Sequence, residues 1–163
     1  MEIKMNALKG LEIARKKILF RPDINSPIDP VTKKIVNDNR LKKNAVTLKY
    51  MLENGAADAL IAHQGDTQDY QNLIPLMEHA QKLTALTGHP VHYIDDVCGP
   101  AAIEAVKKLP AGEAIILGNL RYLGEELSTF SNFVKLSPEE MQSVWHVRKL
   151  APLFDLYVND AFS

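Results

Sequence analysis

Only one cysteine, Cys98, occurs in the 163 residues. A lone thiol forms no internal disulfide and no cysteine-based metal cluster, and such usage suits a reducing, cytoplasmic setting. Neither sign of charge is in excess, since 19 Lys and Arg face 20 Asp and Glu. A general nucleic-acid binder needs a basic surplus to neutralise phosphates, so no nucleic-acid partner is expected. No apolar run nears the roughly 18 residues of a membrane span. The opening MEIKMNALKG lacks the apolar core of a secretory signal. These absences predict a cytoplasmic protein with no membrane partner. Phosphate-cradling glycines are missing too: there is neither a GxxxxGKS/T loop nor a GxGxxG turn. A hydrophobic share of 46% and a charged share of 24% describe an ordinary globular chain, and its length suits one domain.

Apolar runs and helical stripes alternate along the chain. KKILF (16–20) is a strand candidate that breaks at Arg21 and Pro22, because proline has no N–H for a ladder. Asp23 to Asp38 carries Pro27 and Pro30 and reads as a long loop, a length usually kept for function. Asn39 is a plausible cap for a helix bearing Leu41, Ala45, Leu48 and Leu52, stopped by Asn54-Gly55. ADALIA (57–62) is the second strand, and the helix after it places Leu73, Leu76, Met77, Ala80 and Leu83 on one face. PVHYI (90–94) precedes a short helix with Ala102, Ala105, Val106 and Leu109, and EAIIL (113–117) is the fourth strand. Ser137-Pro138-Glu139-Glu140 opens a further helix, with Met141, Val144, Trp145 and Val147 or Arg148 as its stripe. DLYV (155–158) closes the series. Strands separated by helices of this length imply βαβ crossovers. The predicted fold is a three-layer αβα Rossmann-like domain with a mainly parallel sheet of about five or six strands.

Open parallel sheets bind ligands at the carboxyl ends of their strands. The residues expected there are Arg21, Asp23 and Asn25; His63, Gln64, Gly65 and Asp66; Asp95 and Asp96; Gly118, Asn119 and Arg121; and Asn159 and Asp160. Arg40 falls in the first turn of the first helix, where backbone N–H groups also favour anions. Arg21, Arg40, Arg121 and His63 can converge on a small anion, with Asp23 and Asn25 accepting from hydroxyls, because a guanidinium grips carboxylate or phosphate with two bonds. Asp95-Asp96 reads either as a Mg2+ pair or as loop and capping chemistry. His79, His89, His92 and His146 lack ligand spacing and are expected as surface or partly buried residues. Cys98 and Trp145 are expected in the core.

Taken together, RPDINSP (21–27), NDNRL (37–41), AHQG (62–65), GNLRY (118–122) and VNDAF (158–162) resemble the amino-terminal domain of phosphoglycerate kinase, closest to its archaeal form. The likeness runs from about residue 16 to the end and spans a little under half of a complete family enzyme. It implies a domain that holds 3-phosphoglycerate, with the nucleotide domain missing or on another chain. The complete enzyme uses ATP and Mg2+, and this chain alone is expected to bind neither cofactor. Through the resemblance, Asp23 and Asn25 correspond to hydroxyl and carboxylate contacts, and Arg21 to the motif arginine. Arg121 corresponds to a substrate-gripping arginine, His63 to the substrate-loop histidine, and Arg40 to the catalytic arginine that stabilises the transferring phosphoryl group.

Three positions depart from the pattern. Asp66 stands where the family loop has arginine, Gly118 where it has glutamate, and the His-Arg pair after Asn-Asp-Ala-Phe lies beyond Ser163. Two anionic groups ~6 Å apart repel by about 3 kcal/mol at an effective dielectric near 20, less where solvent and salt enter. Three functions therefore stay open: a phosphoglycerate-binding enzyme domain without turnover alone, a diverged non-catalytic module (a pseudoenzyme) for another anion or a protein, and a Mg2+-dependent hydrolase using Asp23, Asp95 and Asp160.

Overall fold

The computed structural model describes residues 6–66, 70–127, 130 and 133–161. Phe162, the last residue of the VNDAF motif, lies outside these. Five strands form one sheet: β1 Lys17–Pro22, β2 Ala57–Leu60, β3 Val91–Tyr93, β4 Ala114–Ile116 and β5 Leu156–Asp160. Every pairing is parallel, in the order β3-β4-β2-β1-β5. Helices α1 (Asn39–Glu53), α2 (Met77–Thr87), α3 (Pro100–Lys108), α4 (Pro138–Met141) and α5 (Trp145–Leu150) lie between the strands in sequence. The three-layer parallel fold read from the alternation is the one observed.

Strand parity builds the layers. Ile18, Phe20, Leu60, Ala114 and Ile116 face one side, where Leu41, Ala45, Leu48 and Met51 of α1 and Ala80 and Leu83 of α2 cover them. Leu19, Ala57, Ala59 and Ile115 face the other, against Ala102 and Val106 of α3 and Leu150 of α5. The two crossovers running from β1 through β2 to β3 carry α1 and α2 on one face. The return from β3 through β4 to β5 carries α3 and α5 on the opposite face, as right-handed crossovers require. Neighbours β2 and β4 therefore send their exit loops toward opposite faces, and the crevice that such a reversal leaves at the carboxyl edge is filled here by the buried side chains of Gln64 and Asn119.

The structure corrects four local expectations. Helix α2 begins at Met77, so Leu73 lies ahead of it. Pro75 explains this, because it fixes its own φ and disfavours helical geometry at Ile74. The helix opened by Ser137 has its expected capping box with Glu140 but runs only to Met141. Val144 is extended (φ −60°, ψ 148°), the stripe does not carry across that break, and Trp145 is 44% exposed instead of core. Asp38, not Asn39, holds the N-cap position of α1. Finally, β5 continues to Asp160, and β1 ends on Pro22, which pairs with Asp160.

Asp58 sits mid-strand among this packing with no exposure, and neither of its carboxylate oxygens has a hydrogen-bond partner. Burial pushes its carboxyl up to about 8. The unfolded chain ionises it near the ordinary carboxylate value, so stability present at acid pH is lost progressively as pH rises toward that folded value. Asp58→Val is expected to raise stability by about 2 kcal/mol at pH 8 and by less at pH 5. Urea unfolding at the two pH values measures it; an equal or lower midpoint for the variant would show that the carboxylate is satisfied.

Candidate functional site

At the crevice, Asn119 joins the loops of β2 and β4. Its side chain is fully buried and accepts from the N–H groups of Gln64 (3.2 Å) and Arg121 (3.0 Å). It donates to the carbonyls of Gln64 (2.9 Å) and Ile74 (3.0 Å). Gln64, also buried, extends the linkage to the loop after β1: Ser26 N–H donates to its Oε1 (2.9 Å), and its Nε2 donates to the Ser26 carbonyl (2.8 Å). His79 of α2 donates to the same Oε1 at 3.0 Å. That ring was expected at the surface or partly buried; it is completely enclosed, and burial lowers it to about 4. The next residue, Gly65, has φ +91°, and a Cβ there would meet the Asn72 carbonyl oxygen at 2.7 Å. Only glycine lets the loop pass there.

These bonds fix the expected site residues along one edge. Arg21, next to last in β1 and paired with Asn159, reaches within 3.4 Å of His63 Nδ1 and 3.7 Å of the Glu126 carboxylate. Arg121 donates to the Glu126 backbone carbonyl, while its Nε is buried without a partner. Burial first, then the charges of Arg121 and Arg21, lower His63 to about 4, so its imidazole is neutral at pH 7. Arg40 Nη1 meets both Asp23 oxygens, at 2.7 and 2.5 Å. Asn44 of α1 ties the pair to the backbone by accepting from Asp23 N–H and donating to the carbonyls of Asp23 and Arg40. Asp23, Arg40, Lys43, Asn44, Thr47 and Asp160 line a cleft of about 680 Å³.

Asn25, expected as a ligand contact, also braces the His63 loop: its Oδ1 takes the Gly65 N–H at 3.1 Å. Asp66 is exposed on that same loop. At Gly118, a Cβ would lie 3.1 Å from Val97 Cγ2 and 3.2 Å from the Asp96 backbone, so a glutamate there would require neighbours to give way. Asp96 accepts from Gly99 and Ala102 N–H at the start of α3, and Asp95 accepts from the Tyr93 hydroxyl at 2.6 Å. The Asp23, Asp95 and Asp160 triad is not assembled, because Asp95 follows β3, separated from β1 by β4 and β2. Sequence reasoning placed Gln64 and Asn119 at this edge without foreseeing their bracing role, and it missed Asn44 and Glu126. Amides carry no periodic signal, and Glu126 was hidden in an unassigned segment.

Fold and edge together define an α/β domain with an internally braced edge at the carboxyl ends of its strands, where arginines are paired with resident carboxylates. The phosphoglycerate kinase family model matches residues 8–163. Phosphoglycerate kinase of Sulfolobus acidocaldarius is 37% identical over 99% of this chain and 37% of that protein. The enzyme of Thermococcus kodakarensis is 40% identical over 91% of this chain and 34% of its own length. The crystal structure of phosphoglycerate kinase from Pyrococcus horikoshii OT3 superposes with a TM-score of 0.84 at 36% identity, covering 97% of this chain and 37% of that one. The chain belongs to the phosphoglycerate kinase family, as an amino-terminal domain of the archaeal type, and spans about 37% of the length of these relatives. No helix among the described residues is long and apolar enough to cross a membrane.

Two measurements probe this geometry. Asn119→Ala strands two N–H groups and two carbonyls and is expected to cost about 2–4 kcal/mol in denaturant unfolding; a loss within the noise would mean that water replaces the amide. His63 is expected to titrate near pH 4 by NMR. A midpoint above about 6 would mean that the two guanidinium groups do not face it.

Proposed function

We propose that this chain is the phosphoglycerate-binding part of a phosphoglycerate kinase, holding 3-phosphoglycerate for phosphoryl transfer with ATP. The observation that carries the reading is the clustering of Arg21, Arg40, Arg121 and a neutral His63 on one sheet edge. Arg21 and Arg121 offer forked donors to an anionic group, and His63 offers a ring N–H without adding charge. Arg40 is the catalytic candidate. Its guanidinium, exchanged from Asp23 onto a transferring phosphoryl group, would stabilise charge that develops on the phosphoryl oxygens. The carboxylate of Asp23 is then released to accept from the ligand hydroxyl.

ATP and Mg2+ belong, on this reading, to a nucleotide domain carried elsewhere in the longer protein or on another chain. The residues here do not fit either group. Phosphate-loop glycines are missing from the sequence, and among the described residues no three His, Cys, Asp or Glu cluster to hold a metal. No step of this mechanism runs through them, and this chain by itself is not expected to turn over.

Asp66 favours a second reading, a diverged non-catalytic module for another anion or a protein. A carboxylate on the substrate loop opposes a phosphate by up to about 3 kcal/mol, reduced by solvent at an exposed position. Calorimetric titration separates the two. The kinase reading expects 3-phosphoglycerate to bind weakly and Asp66→Arg to bind it tenfold or more tightly, about 1.4 kcal/mol or more. Equal affinity in both forms, or none in either, would leave the diverged module.

A further inference from the structure

Glu126 occupies a place that an anionic ligand would want. One carboxylate oxygen, Oε2, lies 3.7 Å from Arg21 Nη2, and the other, Oε1, lies 3.0 Å from His146 Nε2. The longer contact is an ion pair without hydrogen-bond geometry, and the shorter is a hydrogen bond. His146 is itself held from the far side, with Nδ1 3.4 Å from Glu125 Oε2. Glu125 is anchored in turn by the Trp145 N–H at 3.0 and 2.9 Å. The backbone of Glu126 is pinned through its carbonyl by Arg121. Glu126 thus bridges both cations, and rotation of its side chain alone would decide whether its hydrogen bond goes to His146 or to Arg21. All three side chains are mostly enclosed, at 20% exposure for Arg21, 22% for Glu126 and 10% for His146, so the exchange takes place where charge is weakly screened.

We propose that His146 is a positioning residue for the anion site: by gripping Glu126 it keeps that carboxylate at 3.7 Å from Arg21, short of the hydrogen bond that would occupy the guanidinium donors an incoming phosphate or carboxylate must meet. The inference rests on the anion-binding reading above and adds a built-in competitor to it. An imidazole facing two carboxylates donates from both nitrogens, which requires its protonated form. Although burial opposes it, the Glu126 and Glu125 contacts raise His146 above its ordinary value. Burial likewise opposes ionisation of Glu126, yet His146, Arg21 and Arg121 hold its carboxyl below the usual range. The other titratable groups facing this pair are His63 after β2 and Tyr157 on β5. Neither loses or gains charge just above neutrality. His63 protonates only near pH 4, and burial raises the Tyr157 hydroxyl. Loss of the His146 proton as pH rises is thus the event that frees Glu126 to turn toward Arg21.

The test uses the whole chain and two readouts. His146→Gln is expected to weaken 3-phosphoglycerate binding roughly three- to tenfold by calorimetry. The loss should vanish in the Glu126→Gln background, because no competing carboxylate is left to release. The second readout needs no ligand. With Glu126 turned onto Arg21, a negative charge moves toward His63, so the NMR midpoint of His63 should rise by about half a unit in His146→Gln. It should not move when Glu126→Gln is also present. If His146→Gln does not fold, pH replaces the substitution: affinity of the natural chain falls as rising pH removes the His146 proton, and that of Glu126→Gln stays flat over the same range. A loss that persists in the double variant, or an unmoved His63 midpoint, overturns the proposal and leaves His146 a structural residue. A His63 shift without 3-phosphoglycerate binding to any form leaves the competitor standing and removes the substrate reading instead.

Discussion

The linkage between Gln64 and Asn119 is the constraint on which the working edge depends. Three loops, after β1, β2 and β4, converge where the sheet ends, and each brings backbone N–H and carbonyl groups into a volume that water does not fill. Such groups are costly unless paired. Two buried amides satisfy six of those backbone groups between them, reaching Ser26, Ile74 and Arg121 as well as Gln64 itself. An amide suits the task because it both donates and accepts without charge, so its burial carries no ionic desolvation penalty. His63, Arg121 and the loop start at Ser26 are placed by these bonds, and through them the edge as a whole.

Charge at that edge is balanced internally. Arg40 is held by Asp23, and Arg21 sits beside Glu126. Between the guanidinium groups of Arg21 and Arg121, His63 remains neutral. Unpartnered cations packed this closely would repel one another in a region of reduced dielectric, so resident carboxylates stabilise the ligand-free domain.

Much of the architecture could be read in the chain itself. Alternating strand and helix stripes gave the parallel three-layer fold, and the sheet-edge rule placed Arg21, Asp23, His63 and Arg121 on one side. Failures came where period and cap reasoning ran through a break. Val144 turned extended and left Trp145 in solvent; Pro75 delayed α2 past Leu73. His79 was misjudged because nothing in its own neighbourhood foretells a buried amide partner 15 residues away.

The sequence alone determined which face each strand residue takes, since a period of two fixes parity and leaves little choice once both sheet faces must be covered. It also determined that no phosphate-loop glycines are present to hold a nucleotide and that any anion site must be local. Only the tertiary structure decided that Asn25 braces the His63 loop, that Asp95 stands away from Asp23 and Asp160, and that Glu126 meets Arg21. Those contacts join segments from 40 to more than 100 residues apart. Strand order and loop closure bring such segments together, and no local pattern of residues encodes either.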